Sequence, residues 1–385
     1  MVGLWFIAMT STHRATVAAL AVALLLQAVA APNQRSKKDP DFTQTLEVLP
    51  DPPLAVPAET ARLGFLTAPL TAKGLLSQQT REALKALIAA ARGAQFVKIR
   101  GFVAGTGDLR RVQAIVSEVF SERKLQLPVL SVVQVGALPM EGAQVQLEAV
   151  VQERRVVNPA GLAFISGQDA TGTEPVAALV RQSGERLKRA AEAAGTGSEE
   201  MLRVSCFVTS LEAVDAMRSS MAQLFPKAQF TIVQTQRLAE KPVAECEGTA
   251  RLRKAPSAEV VLLNPDGLPV SKNYSQIALV SAPRLIFAGD QLAFRYQEAD
   301  ARLAFQRLEK TMQAAGSSLK RVVMLNTYPL SPQLAELVRK VRFEFLDQAR
   351  PPASTMLPFE GLPSMDAAFG LEAVAVAGSN SSSVQ

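Results

Sequence analysis

Few side chains in this sequence can do chemistry, and their identities close off most reaction classes. The 385 residues include one histidine, His13, and two cysteines, Cys206 and Cys246. A Ser-His-Asp relay needs a histidine, and zinc sites are built from clustered Cys and His. Both are impossible if the amino-terminal segment carrying His13 is removed. There is no Walker loop, no G-x-G-x-x-G turn and no G-x-S-x-G nucleophile turn; Gly105-Thr-Gly107 and Gly195-Thr-Gly197 are plain turns. We therefore expect no metal and no cofactor. What stands out is a carboxylate in a repeated setting: Glu148-Ala149, Glu247-Gly248 and Glu372-Ala373 each lie in a closing apolar strand.

Those glutamates mark three copies of one unit. In each copy an alanine-rich helix ends in glycine, at Gly93, Gly195 and Gly316, and the glutamate follows 55, 52 and 56 residues later. The period is too long for a solenoid repeat, so each copy should be a small α/β domain. Leu84, Leu87, Ile88 and Ala91 recur at helical spacing before Gly93, and Phe96–Val103 reads as a strand. Asp108, Ser210 and Ser331 are expected to cap the second helix of each copy, the last with Pro332 behind it. Each unit reads β–α–β–α–β–β. The first helix should cross over the sheet between parallel strands, and the last two strands should pair antiparallel. Both helices then cover one face. The strands are apolar on the other face too, so the three sheets should cover one another.

The amino terminus reads as an address rather than structure. His13 and Arg14 precede an apolar run to Leu26, and Ala28-Val29-Ala30 supplies small residues for cleavage. Residues 1–30 are expected to be a signal peptide, with an uncleaved anchor as the alternative. Export to the periplasm or beyond follows, with no membrane contact after cleavage. Residues 31–59 read as a Pro-rich tether and 378–385 as a disordered Ser-rich tail. The net charge of +6 is scattered, with no basic run carrying interleaved aromatics, so nucleic acid is not an expected partner.

Several stretches resemble the Rid family (reactive intermediate deaminase, also called YjgF). They are Phe164-Ile-Ser-Gly-Gln168, Ala193-Ala-Gly195, Ala314-Ala-Gly-Ser-Ser-Leu-Lys-Arg-Val-Val323, Asn264-Pro-Asp-Gly-Leu-Pro269 with Tyr274-Ser-Gln276, and Leu371-Glu-Ala-Val-Ala375. The resemblance is clearest in the third copy and weakest in the first. It implies a chorismate-mutase-like α/β fold with a mixed sheet. It also implies a homotrimer with sheets inside, helices outside and a ligand cleft at each boundary. A chain with domains at 60–152, 153–253 and 259–377 would be that trimer fused into one polypeptide, a monomer mimicking a homotrimer.

The resemblance also implies a chemistry, hydrolysis of enamine and imine intermediates to keto acids. The family binds the substrate carboxylate with an arginine in a Pro-Ala-Arg-Ser stretch. Leu130, Phe230 and Ser354 stand at that position in the three copies. The family's water-positioning acid corresponds to Gln146, Glu245 and Gly370, so Glu245 is the one candidate catalytic residue. A family Asn corresponds to Gln113, Arg218 and Arg339, and these two arginines are candidate replacement cations. Ser166, Gln168, Tyr274, Ser275 and Gln291 complete the expected ligand contacts. The leading expectation is an exported, degenerate Rid protein that binds a small metabolite or a partner. The alternatives are an active deaminase of the 2-iminobutanoate or 2-iminopropanoate type, hence a hydrolase, and a non-catalytic envelope scaffold. The resemblance further makes the strands of Cys206 and Cys246 neighbours, leaving either a disulfide or two buried thiols.

Overall fold

Gly93, Gly195 and Gly316 have φ values of 80°, 72° and 82°. That is the left-handed region, where a side chain would be strained and where helices commonly stop. The structure, a computed structural model, describes residues 48–105 and 108–378. The expected signal peptide, most of the tether and nearly all of the tail lie outside the described residues.

In chain order the elements are β1 (Ala55–Glu59), β2 (Leu63–Thr67), α1 (Leu76–Ala91), β3 (Gln95–Ala104), α2 (Leu109–Glu122), β4 (Val129–Val135) and β5 (Val145–Gln152). Then come β6 (Leu162–Thr171), α3 (Val176–Ala193), β7 (Met201–Val208), α4 (Val214–Leu224), β8 (Gln229–Gln234) and β9 (Val243–Arg251). The chain continues through β10 (Val260–Leu263), β11 (Ile277–Val280), β12 (Arg284–Phe294), α5 (Glu298–Ala314), β13 (Val322–Pro329), α6 (Pro332–Val341), β14 (Ala353–Met356) and β15 (Ala367–Val376).

Three sheets repeat one strand order: β2-β5-β3-β4, β6-β9-β7-β8 and β12-β15-β13-β14. Two expectations are corrected here. The last two strands of a copy do not pair with one another. Instead β5, β9 and β15 insert antiparallel between the first two strands of their sheets. The hydrogen-bonded parallel pairs are β3–β4, β7–β8 and β13–β14, so they span the second helix rather than the first. A helical crossover sets two strands parallel whether or not a third slips between them, and strand composition does not mark which occurs. In addition, β10 and β11 extend the second sheet through β6, and β1 pairs with the edge of β12 in the third.

Local signals set the helix starts. Asp108 accepts the Arg110 amide at the head of α2, and Ser331 accepts the Leu334 amide at the head of α6. Ser210 does not cap α4. It accepts the Glu212 amide in a preceding turn, and the helix begins at Val214.

Each sheet buries its outer face under its own helix pair, for example Val112, Val116 and Phe120 of α2 over Ile99 and Leu147. The inner faces share one apolar layer: Phe65 and Val97 of the first sheet meet Phe164 of the second and Phe287 of the third. Farther along, Phe102, Phe207 and Tyr328, at equivalent positions of the three sheets, cluster with Phe359. Phe102 and Phe207 are fully buried, each contributing about 1.5–3 kcal/mol relative to an exposed side chain. Cys206 and Cys246 stand directly opposite on β7 and β9, 4.1 Å apart at Cα, and are joined as a disulfide.

Candidate ligand-binding site

The sheets meet cyclically: β14 lies against β6, β4 against β12 and β8 against β2. Backbone contacts tighten the last two joints. A Cβ on Gly289 would fall 2.7 Å from the Leu130 carbonyl oxygen, and the Asp290 carboxylate accepts the Val132 amide at 2.9 Å. The Thr67 amide donates to Gln229 Oε1 at 3.3 Å. At the β6–β14 joint, by contrast, a cavity of about 840 Å³ opens between the second and third sheets.

The wall of this cavity is pinned by hydrogen bonds across the joint. The Ser354 amide donates to Ser166 Oγ at 2.8 Å, and that hydroxyl donates to the Ser275 carbonyl at 2.6 Å. The Gly167 amide donates to Thr355 Oγ1 at 3.1 Å. Gly167 makes room for Glu245: a Cβ there would meet the Glu245 carboxyl, which would have to shift. The missing side chain lets the Glu245 carboxyl rest over the β6 backbone.

Glu245 is directly opposite Asp169, a like-charge pairing that sheets normally avoid. Burial, then the charges of Asp169 and Glu247, hold the Glu245 carboxyl well above the usual carboxylate range, with Arg339 opposing them. The neutral acid, a hydrogen-bond donor, is thereby favoured. Tyr274 faces the same space, and burial followed by the charges of Glu245 and Asp169 pushes its phenol up to about 12, so it too is a donor at neutral pH.

Two arginines line the opposite wall, on α6 and the turn after it. Arg339 pairs with Glu336 one helical turn earlier. Arg342 is 1% exposed, and its Nε and Nη2 have no hydrogen-bond partner among the described residues. Burial, then the charge of Arg339, pushes its guanidinium down to about 10, which still leaves it charged at neutral pH. The lining thus sets Lys241, Arg339 and Arg342 in one space with Asp169, Glu240, Glu245 and Glu336, and Arg342 is the buried cation whose Nε and Nη2 have no hydrogen-bond partner among the described residues.

A second buried polar cluster lies where the three sheets converge. The repeated Glu148, Glu247 and Glu372 meet there around Arg100. Arg100 Nη2 lies 2.7 Å from Glu148 and 2.9 Å from Glu247, and Nη1 lies 3.7 Å from Glu372. Lys98 reaches Glu372 at 2.8 Å, Asn326 donates to Glu247 at 2.7 Å and Ser205 donates to Glu148 at 2.6 Å. Against the cost of burial, Lys98 and Arg100 hold the Glu372 carboxyl down at about 2. Only about 30 Å³ is open here, so the cluster is a polar core rather than a pocket.

Part of the sequence matches a known family. Residues 266–377 match the family model described as Endoribonuclease L-PSP. A solved Mycobacterium tuberculosis member of the YjgF/YER057c/UK114 family, Rv2704, is 22% identical over 24% of this chain and 79% of its own, with a TM-score of 0.23. Residues 266–377 carry a domain of the Endoribonuclease L-PSP family. Two further Rid structures resemble it: RidA from an Antarctic Psychrobacter and YyfB from Yersinia pestis. The first is 22% identical over 30% of this chain and 98% of its own (TM-score 0.23), the second 19% identical over 31% and 99% (TM-score 0.27). No curated protein matches.

Of the Rid-type residues expected from the sequence, Glu245, Tyr274, Arg339 and Ser354 come together in the cavity. Ser166, Gln168 and Ser275 are buried in its supporting frame: Gln168 Nε2 donates to the Ser166 carbonyl at 3.0 Å and to Gln276 Oε1 at 2.6 Å. Ser275 Oγ donates to the Pro351 carbonyl at 2.6 Å. The others lie elsewhere. Arg218 sits beside Asp215 and the Pro139 carbonyl, Phe230 packs in the second domain's own core, and Gln291 is buried in the third sheet. Sequence reasoning missed Arg342. A signal was present: Arg342 follows Leu334 and Val338 at four-residue steps, a charge in line with the buried stripe of a Rid helix.

Proposed function

We propose that this chain is an exported, degenerate Rid protein. It binds a small anionic metabolite in the cleft between its second and third domains and hydrolyses imines slowly or not at all. The cavity at the β6–β14 joint carries this reading, because it gathers Glu245, Tyr274 and Ser354 in a space of about 840 Å³. That lies within the roughly 300–1,000 Å³ usual for small-molecule sites. Loss of the strand arginine supports weak chemistry: Ser354 occupies its position in the open cleft, while Leu130 and Phe230 turn to apolar cores. A carboxylate deprived of that guanidinium loses about 1.5–3 kcal/mol of charge-assisted hydrogen bonding. The apolar leader supports export, as does the Cys206–Cys246 bridge, since disulfides persist outside the reducing cytosol.

A second reading, an active enamine/imine deaminase, is favoured by Glu245, the one carboxyl retained at the family's acid position. The test is calorimetric titration of 2-oxobutanoate into the mature chain, alongside a coupled assay of 2-iminobutanoate hydrolysis. We expect saturable binding with hydrolysis near background. Turnover equal to that of an arginine-bearing Rid protein would establish the second reading, and no binding at millimolar concentration would defeat both.

A further inference from the structure

The cleft holds a cation whose Nε and Nη2 have no hydrogen-bond partner among the described residues. Arg342 stands at the end of α6, is 1% exposed, and lines the cavity together with Ser354. We infer that Arg342 is the anion anchor of this cleft, holding the carboxylate of a small organic acid from the helix layer rather than from a sheet strand. The inference rests on the binding function proposed above and gives that site its specificity-determining residue.

Three observations carry it. The first is the pattern of missing partners. Nε and Nη2 share one edge of the guanidinium, and both are buried with no hydrogen-bond partner among the described residues. In the polar core Arg100 uses the same edge, Nε and Nη2, on Glu148 at 2.9 and 2.7 Å. The same chain therefore shows how that edge is satisfied when the protein supplies the carboxylate. The second is the company Arg342 keeps. The nearby Glu336 is committed to Arg339, and Glu245 is held towards its neutral form. The third is cost. A charge buried without a counter-charge is destabilising, and an apolar side chain of similar length would remove the penalty. Such a residue is stable in its place when its partner arrives from solution.

Small carboxylic acids follow as the ligand class. The guanidinium takes the carboxylate, and the Glu245 acid and Tyr274 phenol supply donors to a carbonyl or imine at the other end. The exchange is notable in position: Ser354 and Arg342 line one cavity, so the positive charge absent from the strand returns from the helix.

The test uses the mature full chain and two probes, 2-oxobutanoate and its uncharged methyl ester. Wild type should bind the acid at least about tenfold more tightly than the ester. Arg342→Met should weaken the acid by about 10- to 100-fold, erase the difference between acid and ester, and leave thermal stability equal to or above wild type. Arg342→Lys, which keeps the charge without the fork, should fall between them and guards against a Met variant that fails to fold. Undiminished acid binding in Arg342→Met, or equal binding of acid and ester by wild type, would overturn the inference while leaving the binding function intact. A Met variant that is markedly less stable would also overturn it, by showing that Arg342 is a structural residue. Wild type that binds neither probe defeats the proposed function, and the anchor with it.

Discussion

Glu245 and Glu247 stand two residues apart on β9, with side chains on the same face of the second sheet, yet their surroundings are opposite. Glu247 has Arg100 at 2.9 Å, Asn326 at 2.7 Å and Arg203 at 3.5 Å, drawn from all three sheets. Glu245 has a carboxylate, Asp169, directly across the ladder and a glycine beneath it. The polar core joins the domains by giving each repeated glutamate a cation or an amide from a neighbouring copy. The cleft does the reverse: it sets Asp169 opposite Glu245 and leaves Nε and Nη2 of Arg342 without a hydrogen-bond partner among the described residues. The lesson is that buried charge has two uses here. Where partners are internal it joins the three sheets, and where they are withheld it borders the cavity that we propose for a ligand.

The sharpest way to break this contrast is to remove the cation at the centre. Arg100→Met leaves three buried carboxylates facing one another, and we expect a loss of about 3–5 kcal/mol in urea denaturation. A loss below about 1 kcal/mol would mean that the polar core does not hold the domains together.

Two pH effects come next. Burial, then the charge of Glu372, pushes the Asp290 carboxyl from 3.8 to about 7. The native state thus keeps a proton that the unfolded chain releases, so this contribution to stability is full below about pH 4 and lost as pH rises through about 7. Asp290→Asn should flatten the fall in melting temperature over that interval, and an unchanged profile would show that Asp290 ionises normally. Glu245 carries the same sign in the cleft: its raised carboxyl favours the native state at low pH and loses that advantage as pH rises. Glu245→Gln should therefore raise stability relative to wild type at alkaline pH while changing it little in acid. A variant less stable at pH 9 would show that the Glu245 carboxylate is compensated.

The smallest expected effect sharpens the boundary between the two regions. Arg203 lies 3.9 Å from Glu148 and 3.5 Å from Glu247, but it keeps 15% of its side chain in solvent. Its removal by Arg203→Gln should cost less than that of Arg100, because its contacts to both carboxylates are 3.5 Å or longer. A loss approaching that of Arg100→Met would extend the polar core outward to the rim.

Much of the repeat was readable in the chain. The glycine stops, the alternation of helices and strands, and the recurrence of Glu148, Glu247 and Glu372 are local patterns, and local patterns survive in a linear sequence. Their meeting point was not readable. The three glutamates are joined through space by Arg100, and nothing near Arg100 in sequence points to Glu247 or Glu372. The insertion of β5, β9 and β15 between earlier strands was hidden for the same reason. In the cleft, Glu245, Tyr274, Arg339 and Ser354 were legible because family-like motifs flank them. Arg342 was not, since a charge on an amphipathic helix is ordinarily solvated and only the tertiary fold shows that this one is buried.

The most direct test of the central claim is a crystal structure of the chain grown with 2-oxobutanoate. The expected result is the ligand in the cleft between the second and third sheets, its carboxylate against the Arg342 guanidinium and its keto oxygen towards Glu245 and Tyr274. An ordered ligand whose carboxylate lies away from Arg342, or a cleft that stays empty at saturating concentration, would contradict it.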